Sequence, residues 1–126
     1  MTVRLLLDTH FVLALLEPET VSGEAWTSET LLASIATIWE IAIKYRLGKL
    51  KLVVPPARIE ERLDGFGCTL IPITGAHVVA DVDPWPPTND PFDRLLLAVC
   101  RVEGLRLVTH DRKLVDHPLA WRPAAG

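Results

Sequence analysis

Short apolar runs of strand length alternate with segments of helical period along almost the whole chain, and that alternation restricts the fold more than any other feature. "VRLLLD" at 3–8 is a continuous apolar run closed by polar residues, the pattern of a strand buried on both faces. "FVLALLE" follows as a helix ended by Pro18, and a second helix is expected within 22–30. "LLAS" at 31–34 predicts a short strand running into the helical stretch "IATIWEIAIKYRLGK", closed by Gly48. "PARIEERLDGFG" begins on a proline suited to a first helical turn, ends on Gly65, and sets Ile59, Leu63 and Phe66 at core spacing. "TLIPI" predicts a strand, "GAHVVADV" a short helix and the proline-rich "DPWPPTNDP" a loop. "FDRLLLAVCRVEG" carries the strongest helical pattern, "LRLVTHD" the next strand and "LAWRP" a last one. Strands alternating with helices require right-handed crossovers, so the expected class is α/β, a central parallel sheet flanked by helices on both faces. The expected domain is single, spanning 1–126 with a frayed tail over 122–126.

Composition narrows the class. A chain of 126 residues is one domain, long enough to bury a core. Its richest apolar stretch, "LLLDTHFVLALL", holds Asp8, Thr9 and His10 in the middle and is too short to span a bilayer. The N-terminus has no small-residue cleavage site, so a secretory signal is not expected. Cys68 and Cys100 sit singly among apolar neighbours, which predicts small core residues in a reducing cytoplasm. The formal net charge of −3 argues against holding nucleic acid by bulk charge. It leaves room for a local basic patch, for which "KYRLGKLK" is the candidate; the plainer account of those cations is a solvated helix C-terminus.

In parallel sheets ligands bind beyond the carboxyl ends of the strands, and this decides which polar residues can meet. Two expected strands, "RLLLDTH" and "RLVTHD", end alike in Asp, Thr and His. Asp8 there is either a helix cap or a site residue; Asp111 has the same ambiguity in a capped turn, with Thr109 pointing alongside it. Glu40 lies on a helix apolar nearly all round, where a buried carboxylate needs a partner. Its alternative is a capping box with Thr37 plus an ion pair to Lys44. In "NDPFDR", Asp90 reads as the helix cap and Pro91 as the first helical residue, so capping explains Asp90 and leaves Asp93 for chemistry.

Asp8, Glu40, Asp93 and Asp111 gathered without matching arginines would repel, raising one another's pKa values. A hard divalent cation makes such a cluster tolerable, and oxygen-only ligands select Mg²⁺ or Mn²⁺; His10 and His110 keep zinc as a minor alternative. Such an ion polarises phosphoryl oxygens and generates hydroxide, which points to phosphodiester hydrolysis.

"LLLDTH", "SIATIWEIAIKYRLGKL" and "DPFDRLLLAVCRVEGLRLVTHD", in this order and spacing, resemble the PIN-domain ribonucleases, and within them the VapC-type toxins of toxin–antitoxin pairs. The resemblance covers nearly the whole chain. It implies a Rossmann-like PIN fold, Mg²⁺ or Mn²⁺, endoribonuclease activity on RNA, a homodimer and inhibition by a cognate VapB-type antitoxin. It maps the acidic site onto Asp8, Glu40, Asp93 and Asp111, with Thr109 as the neighbouring hydroxyl. The chain departs from close relatives in its "PPTN" lead-in and in Val99 and Cys100, where a glutamine–alanine pair is usual; the 84–89 loop would flank the cleft. Lys44, Arg46, Lys49 and Arg94 are candidate phosphate contacts. Of Trp26, Trp39, Trp85 and Trp121, Trp39 is expected in the core and Trp85 is the candidate for RNA or partner contact. Two rivals remain. A phosphoacceptor receiver domain would need an aspartate ending a central strand near mid-chain, where "KLKLVVPPAR" has none. A non-catalytic RNA- or protein-binding module of the same fold would have no reason to bear the carboxylate repulsion.

Overall fold

The chain is described by a computed structural model covering residues 3–18 and 30–122. Four strands, β1 (Arg4–Leu7), β2 (Thr30–Ser34), β3 (Cys68–Ile71) and β4 (Arg106–Val108), form one all-parallel sheet in the order β3-β2-β1-β4. The register pairs Leu5 with Leu31 and Leu7 with Val108, so the apolar runs lie side by side. Around the sheet stand α1 (Thr9–Leu15), α2 (Ile35–Arg46), α3 (Ile59–Gly65), α4 (Gly75–Val79) and α5 (Pro91–Glu103), with a 3₁₀ turn at Pro56–Arg58.

The period-2 alternation of the strands divides the core in two. Leu5, Leu7, Leu31, Ala33 and Val108 pack with Val12 of α1, Ile41 of α2, and Ile59 and Leu63 of α3. Leu6, Leu32 and Leu107 face the other way and pack under Leu96, Leu97, Val99 and Cys100 of α5. Both faces are therefore covered, and each fully buried leucine contributes roughly 1.5–3 kcal/mol by leaving water. Cys68 and Cys100 are buried free thiols pushed up to about 12 by desolvation, which makes them inert core residues, as expected.

The helix ends follow from their sequences. Ser34 caps α2 by accepting from Ala36 N–H at 3.0 Å, and Asp90 caps α5 by accepting from Phe92 N–H at 2.9 Å with Pro91 next. Gly104 closes α5 at φ 70°, a conformation glycine adopts without strain, and returns the chain directly into β4.

Several expectations need correction. The helix expected within 22–30 falls on residues outside those described, except Thr30, which opens β2 instead. "LAWRP" adds one isolated bridge, Leu107 with Ala120, rather than a strand. Phe66 is half-buried beneath the Arg62 guanidinium at 5.1 Å instead of entering the core. Most consequential, α2 is not apolar on every side in the sense expected. Its outer face exposes Ile35 and Trp39, and Trp39, expected in the core, is 61% exposed.

Topology sets the place for a site. From β1 the chain proceeds to β2 and β3 on one side, and α5 then carries it back to β4 on the other. The crevice of such a sheet opens where this direction reverses, beyond the carboxyl ends of β1 and β4.

Candidate active site

Asp8 leaves β1 at that reversal. Its N–H donates to Val108 O at 3.1 Å, tying the end of β1 to the end of β4, and its side chain is 5% exposed. One carboxylate oxygen, Oδ1, accepts from Phe11 N–H at 3.1 Å and caps α1. The capping role read from the sequence is thus real. It occupies one of the two oxygens.

Glu40 sits in the second turn of α2 and is 6% exposed. The alternative capping box does not form, because Ser34 rather than Thr37 is the cap. The ion pair does: Lys44 Nζ donates to Glu40 Oε2 at 2.7 Å, and Thr9 Oγ1 donates to Glu40 Oε1 at 2.6 Å. The Lys44 ammonium is raised above its ordinary value, first by this hydrogen bond and then by the charges of Glu40, Asp90 and Asp93, with burial opposing. The Thr37 hydroxyl, on the same face one turn earlier, is buried without a hydrogen-bond partner.

Asp93 lies in the first turn of α5, half-buried, and Thr88 Oγ1 donates to its Oδ2 at 3.0 Å. Burial raises its carboxyl above the ordinary value of 3.8, Thr88 lowers it, and the charges of Asp90, Asp111 and Glu40 raise it further. Asp93 therefore shares one electrostatic neighbourhood with Asp111 and Glu40, although α5, α2 and the segment after β4 are far apart in sequence. At Asp111 the backbone N–H donates to Thr109 Oγ1 at 3.0 Å, and Oδ1 accepts from Lys113 N–H at 2.9 Å. This is the capped turn anticipated for "DRKL", built against the buried Thr109.

Thr88 was not among the residues singled out in the sequence. It is buried, and besides holding Asp93 it accepts from Asp90 N–H at 3.1 Å. The signal was present in "TND", a hydroxyl two residues before a helix cap. The loop bearing it is anchored from below, where His117 Nε2 meets Pro84 O at 2.8 Å. Replacing Thr88 by valine is expected to push the Asp93 carboxyl higher, because the lowering hydrogen bond is gone. The titration of the Asp93 carboxyl, followed by NMR, should move to higher pH, and the orphaned Asp90 N–H should cost about 1–3 kcal/mol of stability. Thr88→Ser should restore both, and an unmoved titration in Thr88→Val would refute the coupling.

Of the candidate phosphate contacts, Lys44 is bound to Glu40, Arg46 and Lys49 are exposed, and the Arg94 guanidinium lies 3.8 Å over the Trp85 ring. Trp26 lies outside the described residues.

The donor set suits a hard divalent cation in its chemistry. It is carboxylate and hydroxyl oxygen throughout, and the charges that hold Asp93 up are those a cation would relieve. The arrangement itself is open: among the described residues, no three His, Cys, Asp or Glu side chains are gathered closely enough to hold an ion. The same finding removes the support for a zinc group at His10 and His110; His110 packs instead against the Phe11 ring, 4.8 Å between centroids.

A parallel sheet with acidic side chains at its reversal point defines a class of α/β domain, and sequence comparison narrows it. The chain belongs to the PIN domain family, whose profile matches residues 5–118. No curated protein matches the chain. PIN domains are generally nucleases, bind nucleic acid and use divalent metal ions. No helix among the described residues is long and apolar enough to cross a membrane.

Proposed function

We propose that this chain is a Mg²⁺- or Mn²⁺-dependent endoribonuclease that hydrolyses RNA phosphodiester bonds, the VapC-type toxin of a toxin–antitoxin pair. The feature that carries the chemistry is a half-buried carboxyl, Asp93, at the carboxyl edge of the sheet, raised first by burial and further by the charges of Asp90, Asp111 and Glu40. A domain that merely folds gains nothing from that repulsion. Asp8, Glu40, Asp93 and Asp111 are the oxygen donors that would hold the ion once drawn closer than they stand here, and the ion when bound would supply a polarised phosphoryl oxygen and an activated water. The chain's own residues prepare the place. Thr88 orients Asp93, Thr9 orients Glu40, and the turn at Thr109 fixes Asp111. Lys44 neutralises Glu40, so the helix tolerates a buried carboxylate before any ligand arrives. Lys44, Arg46, Lys49 and Arg94 provide cations near an otherwise acidic edge for the RNA backbone.

The toxin role, the homodimer, the cytoplasmic location and a VapB-type antitoxin that closes the cleft rest on the resemblance of "SIATIWEIAIKYRLGKL" and "DPFDRLLLAVCRVEGLRLVTHD" to that family. The net charge of −3 favours an inhibitor that brings positive charge. A short reading frame immediately upstream of the gene would support this assignment.

Purified chain, free of any partner, is expected to cleave RNA when Mg²⁺ or Mn²⁺ is added and to stop with a chelator. Cleavage that persists in excess chelator would exclude metal-assisted hydrolysis. A second reading, a binding module without catalysis, is favoured by the open arrangement of the acids and the Lys44–Glu40 pair. It predicts RNA binding with no cleavage in either metal.

A further inference from the structure

Trp39 has no folding reason to be where it is. It stands in the middle of α2 with 61% of its surface exposed, on a helix that has other large apolar residues to bury. Its ring meets Phe92 at 5.8 Å and 64°, an edge-to-face contact that fixes the indole's angle. The two rings belong to the residues immediately before Glu40 and Asp93 in the chain. Their contact joins α2 to the first turn of α5, the seam across which the charge of Asp93 reaches Glu40 and Lys44, so the aromatic pair lies on the same seam as the two acids. In the same first turn of α5 the Arg94 guanidinium is stacked 3.8 Å over Trp85, which immobilises a cation on that turn.

We propose that the Trp39 indole, set by Phe92, is a stacking platform for an unpaired base of a single-stranded nucleic acid whose phosphodiester lies at the acidic cluster, with Arg94 against the backbone. The proposal rests on the nuclease reading given above and adds the subsite that seats the flanking nucleotide. A base offers a flat apolar face, and its phosphate carries the negative charge that Arg94 and Lys44 complement. Duplex bases are already stacked and cannot lie on the ring. The surroundings disfavour the other occupants. A protein anchor residue seeks an apolar pocket, whereas this ring stands exposed with the edge of Phe92 against it. A second copy seated symmetrically on this ring would bring the acidic edges of both chains together, so the proposed homodimer would use another face.

The test uses the full chain carrying Asp93→Asn, which suppresses turnover, and two fluorescent probes: a short single-stranded oligoribonucleotide and the same backbone lacking its bases. Trp39→Ala should weaken binding of the base-bearing probe about 5- to 150-fold, the equivalent of roughly 1–3 kcal/mol, and leave the abasic probe unaffected. Trp39→Phe should recover most of the loss. Equal binding by Trp39→Ala and its parent overturns the proposal, as does equal weakening for both probes, which would mark a structural role. A change in sedimentation without a change in RNA binding would assign the ring to self-association and likewise overturn it. If the unsubstituted chain cleaves RNA while Trp39→Ala binds normally, the stacking subsite alone fails. If the unsubstituted chain does not cleave RNA and the Asp93→Asn parent does not bind it, the nuclease reading fails and the subsite with it.

Discussion

Asp93→Asn is expected to abolish RNA cleavage while making the protein more stable at neutral pH. The two effects have one cause. Burial, and then the charges of Asp90, Asp111 and Glu40, hold the Asp93 carboxyl above its ordinary value of 3.8, so ionising it costs more in the folded chain than in the unfolded one. For an acid raised in the folded state the penalty is absent below the unfolded pKa. It grows as pH rises and is complete above the folded pKa. Thermal denaturation should therefore show no difference between variant and parent near pH 3 and a higher Tm for Asp93→Asn at pH 7. Asparagine keeps an oxygen to accept from Thr88 but loses the charge that would attract a cation. Electrophilic stabilisation by a bound ion supplies several kcal/mol, so activity should fall at least about 10²- to 10³-fold. Asp8→Asn should lose activity similarly. Asp90→Asn should not, because asparagine caps α5 equally well and Asp90 Oδ1 is already committed to Phe92 N–H. A Tm difference that persisted at pH 3, or full activity in Asp93→Asn, would break this account.

Which parts of this were legible in the sequence depends on what kind of signal each residue carries. The four strands were readable because each is a short apolar run, two of them with consecutive leucines, and the closure of β1, β2 and β4 in Asp, Ser and Thr marks where the chain leaves the core. Asp90 and Asp93 could be told apart because Pro91 fixes the first helical position and so assigns the cap to its predecessor. Trp39 could not be placed, because apolarity reads as burial in any periodic pattern. A ring on the outer face of α2 carries the same letter as one in the core. The capping box at Thr37 failed for a related reason: "SIATIWE" offers two hydroxyls, and only the end of β2 decides that Ser34 takes the cap. Thr88 was missed because a loop hydroxyl acquires its role from the acid that α5 brings to it. That the charges of Glu40 and Asp111 reach Asp93 followed from topology rather than spacing, since only strand order brings α2, α5 and the end of β4 to one edge.

Leu97→Ala is expected to cause the largest loss of stability while leaving the chemistry of the folded fraction intact. Leu97 is fully buried one turn beyond Asp93, packed with Leu6, Leu32 and Leu107 of the sheet. Truncation removes transfer free energy and leaves a cavity that the parallel strands beneath cannot collapse to fill. The expected cost is about 2–5 kcal/mol. For a chain of this length that lowers Tm by roughly 6–25 °C, at about 3–5 °C per kcal/mol. The denaturant midpoint should fall with the slope unchanged, because the surface exposed on unfolding is nearly the same. Asp93 should keep its place, since the start of α5 is fixed independently by the Asp90 cap, Pro91 and the Thr88 hydroxyl. Activity per folded molecule, measured well below the new midpoint, should therefore stay within a few-fold of the parent. A large fall in that activity would mean that packing under α5, and not only its N-terminal turn, holds the acidic edge in register.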